Sequence, residues 1–332
     1  AEMIEYVRRF KDIAGLPKCT FDRTEACFAR MRAETAGKTL PVWNGELYLE
    51  LHRGCQTTQS RTKRNNRVCE FLLHNAELLG SMALLHGGPY DQRTLLDAWR
   101  IVLTHQFHDI LPGSSITEVY RDAETNYAAA RGLIAKAWDS AATYLSARID
   151  TSGPGTPIIV FNPLSWVRTD VVSAGINVPR GAFHVTGPDG NVVPSQRGDT
   201  GELLFQARGV PPLGYAVYRV VRGAAESPAT ELQATTTKLE NNCLRIRLDA
   251  QGRFTSVYDK QEQREALAPG RKGNVLQLFD DRPAANDAWD IDHNFDNRQW
   301  EPGKTSSVKI IENGPLRAIV RVVRRTEKST FT

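Results

Sequence analysis

Apolar residues recur at three- and four-residue steps over three long stretches in the first half of the chain. In the second half they fall into short β-type runs, so the sequence divides into a helical and a β portion. From about Arg61 to His86, Val68, Phe71, Leu72, Asn75, Leu78, Leu79, Met82 and Leu85 fall on one stripe, and Gly87-Gly88-Pro89 ends it. From about Asp91 to His108 the stripe is Leu95, Ala98, Trp99, Val102 and Leu103. The third stretch, Ser115 to Ile149, carries Val119, Leu133, Ile134, Ala137, Trp138, Ala141 and Leu145, and Ser115-x-x-Glu118 reads as a capping box. Three amphipathic helices with short connections predict an antiparallel three-helix bundle.

Ahead of the bundle, Glu2 to Ile13 and Thr24 to Arg32 read as short helices separated by Gly15-Leu16-Pro17. Gly45 to Gly54 alternates strictly, as a strand does, with Leu47, Leu49 and Leu51 on one face and Glu46, Tyr48, Glu50 and His52 on the other. Beyond the bundle, Thr151 to Pro157 is a break rich in Gly and Pro. Strands follow at Ile158 to Asn162, Val171 to Val178, Glu202 to Ala207 and Tyr215 to Val221. After the small-residue stretch Gly223 to Pro228, Cys243 to Leu248 and Phe254 to Tyr258 flank a hairpin turn, and Val308 to Ile311 and Leu316 to Arg324 continue the β pattern. The fold class is therefore α+β and multidomain: a three-helix bundle followed by antiparallel β-sandwich domains. The boundaries fall at 1–45, 46–150, 151–228 and 229–332.

Composition adds limits rather than detail. At 332 residues there is chain enough for several cores, and 41% apolar with 24% charged residues is ordinary for a globular protein. Lys+Arg 42 against Asp+Glu 38 is a mild excess. The one basic run, Arg61 to Arg67, opens an amphipathic helix, so a solvated helix start is favoured over a nucleic-acid surface. Five scattered cysteines without a C-x-x-C pair argue against a disulfide framework and against a cysteine zinc site. With no sequon, no run near the ~20 apolar residues that span a bilayer and no signal peptide at Ala1, a cytoplasmic protein with no membrane partner is expected. The absence of an initial Met leaves room for an upstream portion.

Three places carry candidate chemistry. Gln106-Phe107-His108-Asp109-Ile110-Leu111-Pro112-Gly113-Ser114-Ser115 sets a histidine and an aspartate at the end of an apolar helix and before an open turn, a setting that suits a metal ligand. His105 and His108 are three apart, but two histidines do not complete a zinc site that needs about four ligands. By spacing alone His108 reads more readily as a satisfied helix-end histidine than as a ligand, and Asp109 as its partner or as an anchor for the turn. The second place is Glu46, Glu50 and His52 on one strand face, either an active-site wall or a solvated sheet face. The third is Asp280 to His293, where five acids, Trp289 and His293 have the composition of a sugar-binding loop or of an acidic surface loop.

Four blocks together resemble glycoside hydrolase family 38, the retaining α-mannosidases, in the bacterial, cytosolic-type branch. They are Leu40 to Gly54 followed by Thr57-Thr58-Gln59, then Gln106 to Ser115, then Phe161-Asn162-Pro163-Leu164-Ser165-Trp166, then Leu276 to Pro283. The resemblance implies a zinc-dependent hydrolase with a (β/α) catalytic domain, a helical middle domain and C-terminal β-sandwiches, residues 1–45 being the end of the first. It implies that His108 is a zinc ligand and that Asp109 assists it. It further implies that His52, Arg53 and Thr57 line the sugar pocket and that Asp287, Trp289 and Asp290 reach it from the β portion. The other zinc ligands, the nucleophile and the acid/base group belong upstream in that family, so no catalytic carboxylate is assigned in this chain. Alone it is expected to be inactive, and the apolar surface left where that domain would pack favours a homo-oligomer. The partner implied is a mannose-containing oligosaccharide or glycoside, with no nucleic acid. Two other readings stay open: a non-catalytic carbohydrate-binding or assembly module, and a family member of mannosylglycerate-type specificity.

Overall fold

The computed structural model describes residues 2–45, 47, 52–176, 178, 181–226 and 230–332. Two compact units divide the chain, residues 1–48 and 49–332. The first holds helices α1 (Glu2–Phe10) and α2 (Thr24–Glu34), neither of which buries a residue. Acidic residues in the first turn of α1 and arginines in its last complement the helix dipole. The strand expected at Gly45 to Gly54, with Glu46 and Glu50, falls largely outside the described residues. Its end is not a strand, because Gly54–Gln56 is a turn of 3₁₀-helix.

The second unit opens with the three-helix bundle: α3 (Ser60–Leu85), α4 (Gln92–His105) and α5 (Thr117–Ser146). Its core joins Cys69, Leu73 and Ala76 of α3 to Leu95, Ala98 and Val102 of α4 and to Ala123, Tyr127, Ala130, Ile134 and Ala137 of α5. The face of α3 is thus rotated from the stripe read in the sequence. Of that stripe Leu79 is buried, whereas Phe71, Leu72 and Leu85 are exposed. Small side chains at Cys69, Ala76 and Ala83 let α3 approach its neighbours closely, and bulk then goes outside. By length and composition α3 could cross a membrane, contrary to the sequence reading, although a core helix of a bundle has the same properties. Two arginines of the basic run meet carboxylates at the surface of the bundle: Arg61 reaches Glu124 of α5 at 3.1 Å and Arg67 meets Glu70 at 2.6 Å.

Two antiparallel sheets follow. Strands β1 (Thr156–Asn162), β7 (Gly214–Arg222), β3 (Phe183–Thr186) and β4 (Val192–Val193) form one. Strands β2 (Arg168–Ala174), β6 (Leu203–Val210) and β5 (Ser195–Arg197) form the other. Alternate residues Ala216, Tyr218 and Val220 of β7 and Leu203, Phe205 and Ala207 of β6 point into a shared core, the arrangement of a sandwich. Beyond it β8 (Gln233–Thr235), β9 (Lys238–Glu240), β10 (Leu244–Leu248), β11 (Phe254–Asp259) and β12 (Arg264–Glu265) run as a five-stranded meander. The expected hairpin joins β10 to β11, and Asp249 fixes its turn by accepting from the Gln251 and Arg253 amides at 2.9 and 3.0 Å. Strands β13 (Leu278–Phe279) and β14 (Gln299–Trp300) pair around the acidic loop. Strands β15 (Lys304–Asn313), β16 (Ala318–Arg325) and β17 (Thr330–Phe331) form a last sheet.

Candidate functional site

The turn after α4 carries the histidine and aspartate singled out in the sequence. The helix stops at His105, three residues before the predicted end, so the i,i+3 relation to His108 does not hold. His105 is a core residue: its Nδ1 lies 2.7 Å from the Ile101 carbonyl and its ring packs on Tyr127 at 5.0 Å. His108 is the opposite case, with 78% of its side chain exposed and its ring tilted by 49° against Phe107, centroids 4.2 Å apart. His108 Nε2 lies 3.3 Å from Asp109 Oδ2, and the Ser114 hydroxyl donates to Asp109 Oδ1 at 3.2 Å. One carboxylate oxygen is thus held by a hydroxyl, and the other lies beside the imidazole. The Asp109 carbonyl accepts from Ser115 Oγ at 2.6 Å and from Tyr120 OH at 3.3 Å. Ser115 therefore does not cap α5, whose first turn follows Ile116 with no side-chain cap. The sequence does not single out Ser114 or Tyr120. A serine after Pro-Gly was the available signal for the first, and the second gave none.

Segment 52–59 touches this turn on one side and the acidic loop on the other. Gly113 has φ +100°, and a Cβ there would lie 2.6 Å from Thr58 Cγ2. Toward the loop, the His52 ring stacks on Trp289 at 5.3 Å and 18°, and the Gly54 amide donates to the Trp289 carbonyl at 2.8 Å. A Cβ on Gly54 would sit 3.1 Å from the carbonyl oxygens of Trp289 and Asp290, so glycine permits this close approach. His52 Nδ1 is buried without a hydrogen-bond partner among the described residues. Arg53 and Thr57 are exposed, and Thr57 borders an open cavity of about 440 Å³ with Ser60, Arg61, Tyr120 and Arg121.

In the loop itself the carboxylates are occupied at home. Asp287 accepts from the Ala288 amide at 2.9 Å and Asp290 from the Ile291 amide at 2.8 Å. Asp280 is bridged by Arg282 at 2.9 Å and Arg298 at 3.3 Å, and the Arg282 hydrogen bond holds it below the usual carboxylate range. The structure thus joins His52 with Trp289 and His108 with Asp109, and segment 52–59 is the common neighbour of both groups. Among the described residues, no three His, Cys, Asp or Glu side chains converge on a point that could hold a metal. His108 and Asp109 are two donors where zinc needs about four, so this chain's described residues do not fit a zinc ion by themselves.

The two family models that match do so in chain order. "Alpha mannosidase middle domain" covers residues 50–145, with both the 52–59 segment and the His108 turn, and "Glycosyl hydrolases family 38 C-terminal domain" covers 239–332, with the acidic loop. The chain belongs to glycosyl hydrolase family 38. Alpha-mannosidase 2C1 of Homo sapiens is 32% identical over 328 residues, which are 95% of this chain and 29% of that protein. Alpha-mannosidase G of Dictyostelium discoideum is 29% identical over 356 residues, 96% of this chain and 32% of that protein. This family member therefore spans under a third of the length of either relative. Among solved structures, an alpha-mannosidase from Enterococcus faecalis V583 superposes with TM-score 0.64 at 17% identity, over 97% of this chain and 42% of that one, a likeness of fold.

Proposed function

We propose that the protein carrying this chain is a retaining α-mannosidase that removes terminal α-mannosyl groups, and that this chain supplies one wall of its site. The observation that carries the reading is the exposed His108, paired with Asp109 at 3.3 Å on a turn held by Ser114, Ser115 and Tyr120, in the middle domain of a family-38 chain. His108 offers an open imidazole nitrogen, and Asp109 an anchored carboxylate able to accept from sugar hydroxyls. In this reading His52, Arg53, Thr57, Asp287, Trp289 and Asp290 border the sugar. A zinc ion, when bound, would orient a sugar diol and stabilise charge. His108 would be one ligand and the rest would come from outside the described residues. Retention needs two carboxylates about 5 Å apart, and neither is assigned here, so the chain alone is inactive in this proposal. The domain limits 1–45, 46–150, 151–228 and 229–332 belong to the same proposal, as does the cytoplasmic setting, which five free thiols suit. So does self-association, which exposed Phe21, Phe28 and Trp43 would favour.

The test is hydrolysis of an aryl α-mannoside with added Zn²⁺, by this chain and by the full-length protein, each with His108→Ala. The chain is expected to be silent. In the full-length protein His108→Ala should remove both activity and bound zinc, and Asp109→Asn should cost about 10–100-fold. Activity of this chain alone that His108→Ala abolishes would sink the partial-site reading. Sugar binding without metal or hydrolysis would favour a binding module.

A further inference from the structure

The side of α3 that faces the His108 turn is polar, and its contacts bracket the candidate pair. Lys63 Nζ donates to the carbonyls of Thr58 at 2.6 Å, Leu111 at 3.0 Å and Pro112 at 2.9 Å. An ammonium has three donors, and here backbone carbonyls take all of them. One acceptor lies on segment 52–59, and the other two lie just past Asp109. On the near side of the pair, Gln106 Nε2 donates to Asn66 Oδ1 at 3.0 Å and to Glu70 Oε1 at 2.9 Å. Asn66 Nδ2 in turn donates to Glu70 Oε1 at 3.0 Å. Lys63, Asn66 and Glu70 follow one another at steps of three and four, so they share one helix face.

We propose that Lys63 is a positioning residue for His108 and Asp109, tying the far end of their turn to α3 and to segment 52–59 while Asn66 and Glu70 hold the near end. The inference rests on the reading of His108 and Asp109 given above. Among the described residues Lys63 pairs with carbonyls and with neither side chain; it acts by fixing the backbone that carries them. Its three acceptors lie on two separate segments outside any α-helix, which distinguishes it from a lysine closing the last turn of a helix. Burial lowers the Lys63 pKa, as fits an ammonium drawn from water toward fixed carbonyls. A planar guanidinium would not match three carbonyls gathered on one nitrogen, so arginine is a poor substitute at this position.

The turn's own amides report on this. Those of Ile110, Leu111 and Gly113 donate to the carbonyls of Phe107, Phe107 and Ile110 at 2.9, 3.1 and 3.1 Å. Hydrogen exchange in the 332-residue chain should show these three amides exchanging about tenfold faster in Lys63→Met, with core amides of α4 and α5 little changed, and an intermediate rate in Lys63→Arg. Unchanged exchange at the three amides would overturn the proposal, and so would faster exchange spread over all three helices, which marks general support of the fold. The second readout is steady-state hydrolysis in the full-length protein. There Lys63→Met should lower kcat by about 10–100-fold with a smaller change in KM, and Lys63→Arg by less. Wild-type kinetics in Lys63→Met, where His108→Ala is dead, would refute a positioning role. If His108→Ala has no effect, the functional reading falls, and exchange alone decides whether Lys63 orders the turn.

Discussion

At the scale of single residues, two glycines separate backbone need from accident. Gly113 sits at φ +100° against Thr58, where a side chain would be strained by the backbone and would also collide. Gly132 lies within α5, at ordinary φ, with nothing within 4 Å of a Cβ. Gly113→Ala should therefore destabilise the chain by about 1–3 kcal/mol, while Gly132→Ala should stabilise it by about 0.5–1 kcal/mol. Urea unfolding of both variants decides, and equal effects would refute the argument. Pro112-Gly113 was legible as a turn from the sequence alone. That Thr58, 55 positions earlier, is what forbids a side chain there was not, because nothing local marks a contact between distant segments. His105 and His108 make the same point. Only the helix end at His105 separates a core histidine, packed on Tyr127, from an exposed one.

At the scale of elements, the three long helices could be read because each spans many turns of one apolar period. Their faces and ends were harder. Small residues choose the buried face of α3, and a stripe drawn through large side chains points a different way. Ser115 had the spacing of a capping box, but its hydroxyl is spent on the Asp109 carbonyl. Strands of two or three residues such as β4, β5 and β13 are too short to show a period of two. At the start of α4 the cap is explicit: Asp91 accepts from the Thr94 amide at 3.2 Å, and the hydrogen bond from Thr94 lowers its pKa below the ordinary 3.8. Asp91→Ala should cost about 1 kcal/mol near neutral pH. A lowered folded pKa gives stability that is present above the unfolded value and is lost as pH falls through the folded one. The cost of the substitution should thus shrink below about pH 4. Thermal unfolding at pH 7 and pH 3 tests it, and a cost independent of pH would reject the cap as its source.

At the scale of the molecule, a partly buried network joins the two β regions, and no sequence pattern announces it. Arg317, just before β16, meets Glu312 of β15 at 2.8 Å and Glu202, just before β6, at 2.7 Å. Gln196 of β5 accepts from the Leu316 and Arg317 amides at 2.8 and 2.9 Å and donates to Glu312. Glu312 is buried, with only 4% of its side chain exposed, and its carboxylate is compensated by the Arg317 guanidinium together with the Gln196 side chain and the Asp199 amide. Replacing Arg317 with Met leaves that carboxylate in place without its guanidinium, and because the arginine is itself 38% exposed and solvent screens the pair, the cost near neutral pH is about 1–3 kcal/mol. Glu202 gives the pH dependence. Hydrogen bonds from Thr200 and then from Arg317 pull its pKa from 4.5 to about 2. Its contribution is therefore complete above about pH 4.5 and fades as pH falls toward 2. Removing Arg317 removes part of that pull while Thr200 remains. Between pH 6 and pH 3 the wild-type chain should lose more stability than Arg317→Met, and the gap between them should narrow. Urea midpoints at both pH values measure this directly. A gap as wide at pH 3 as at pH 6 would mean that the two β regions are held together by packing, with the charges bystanders.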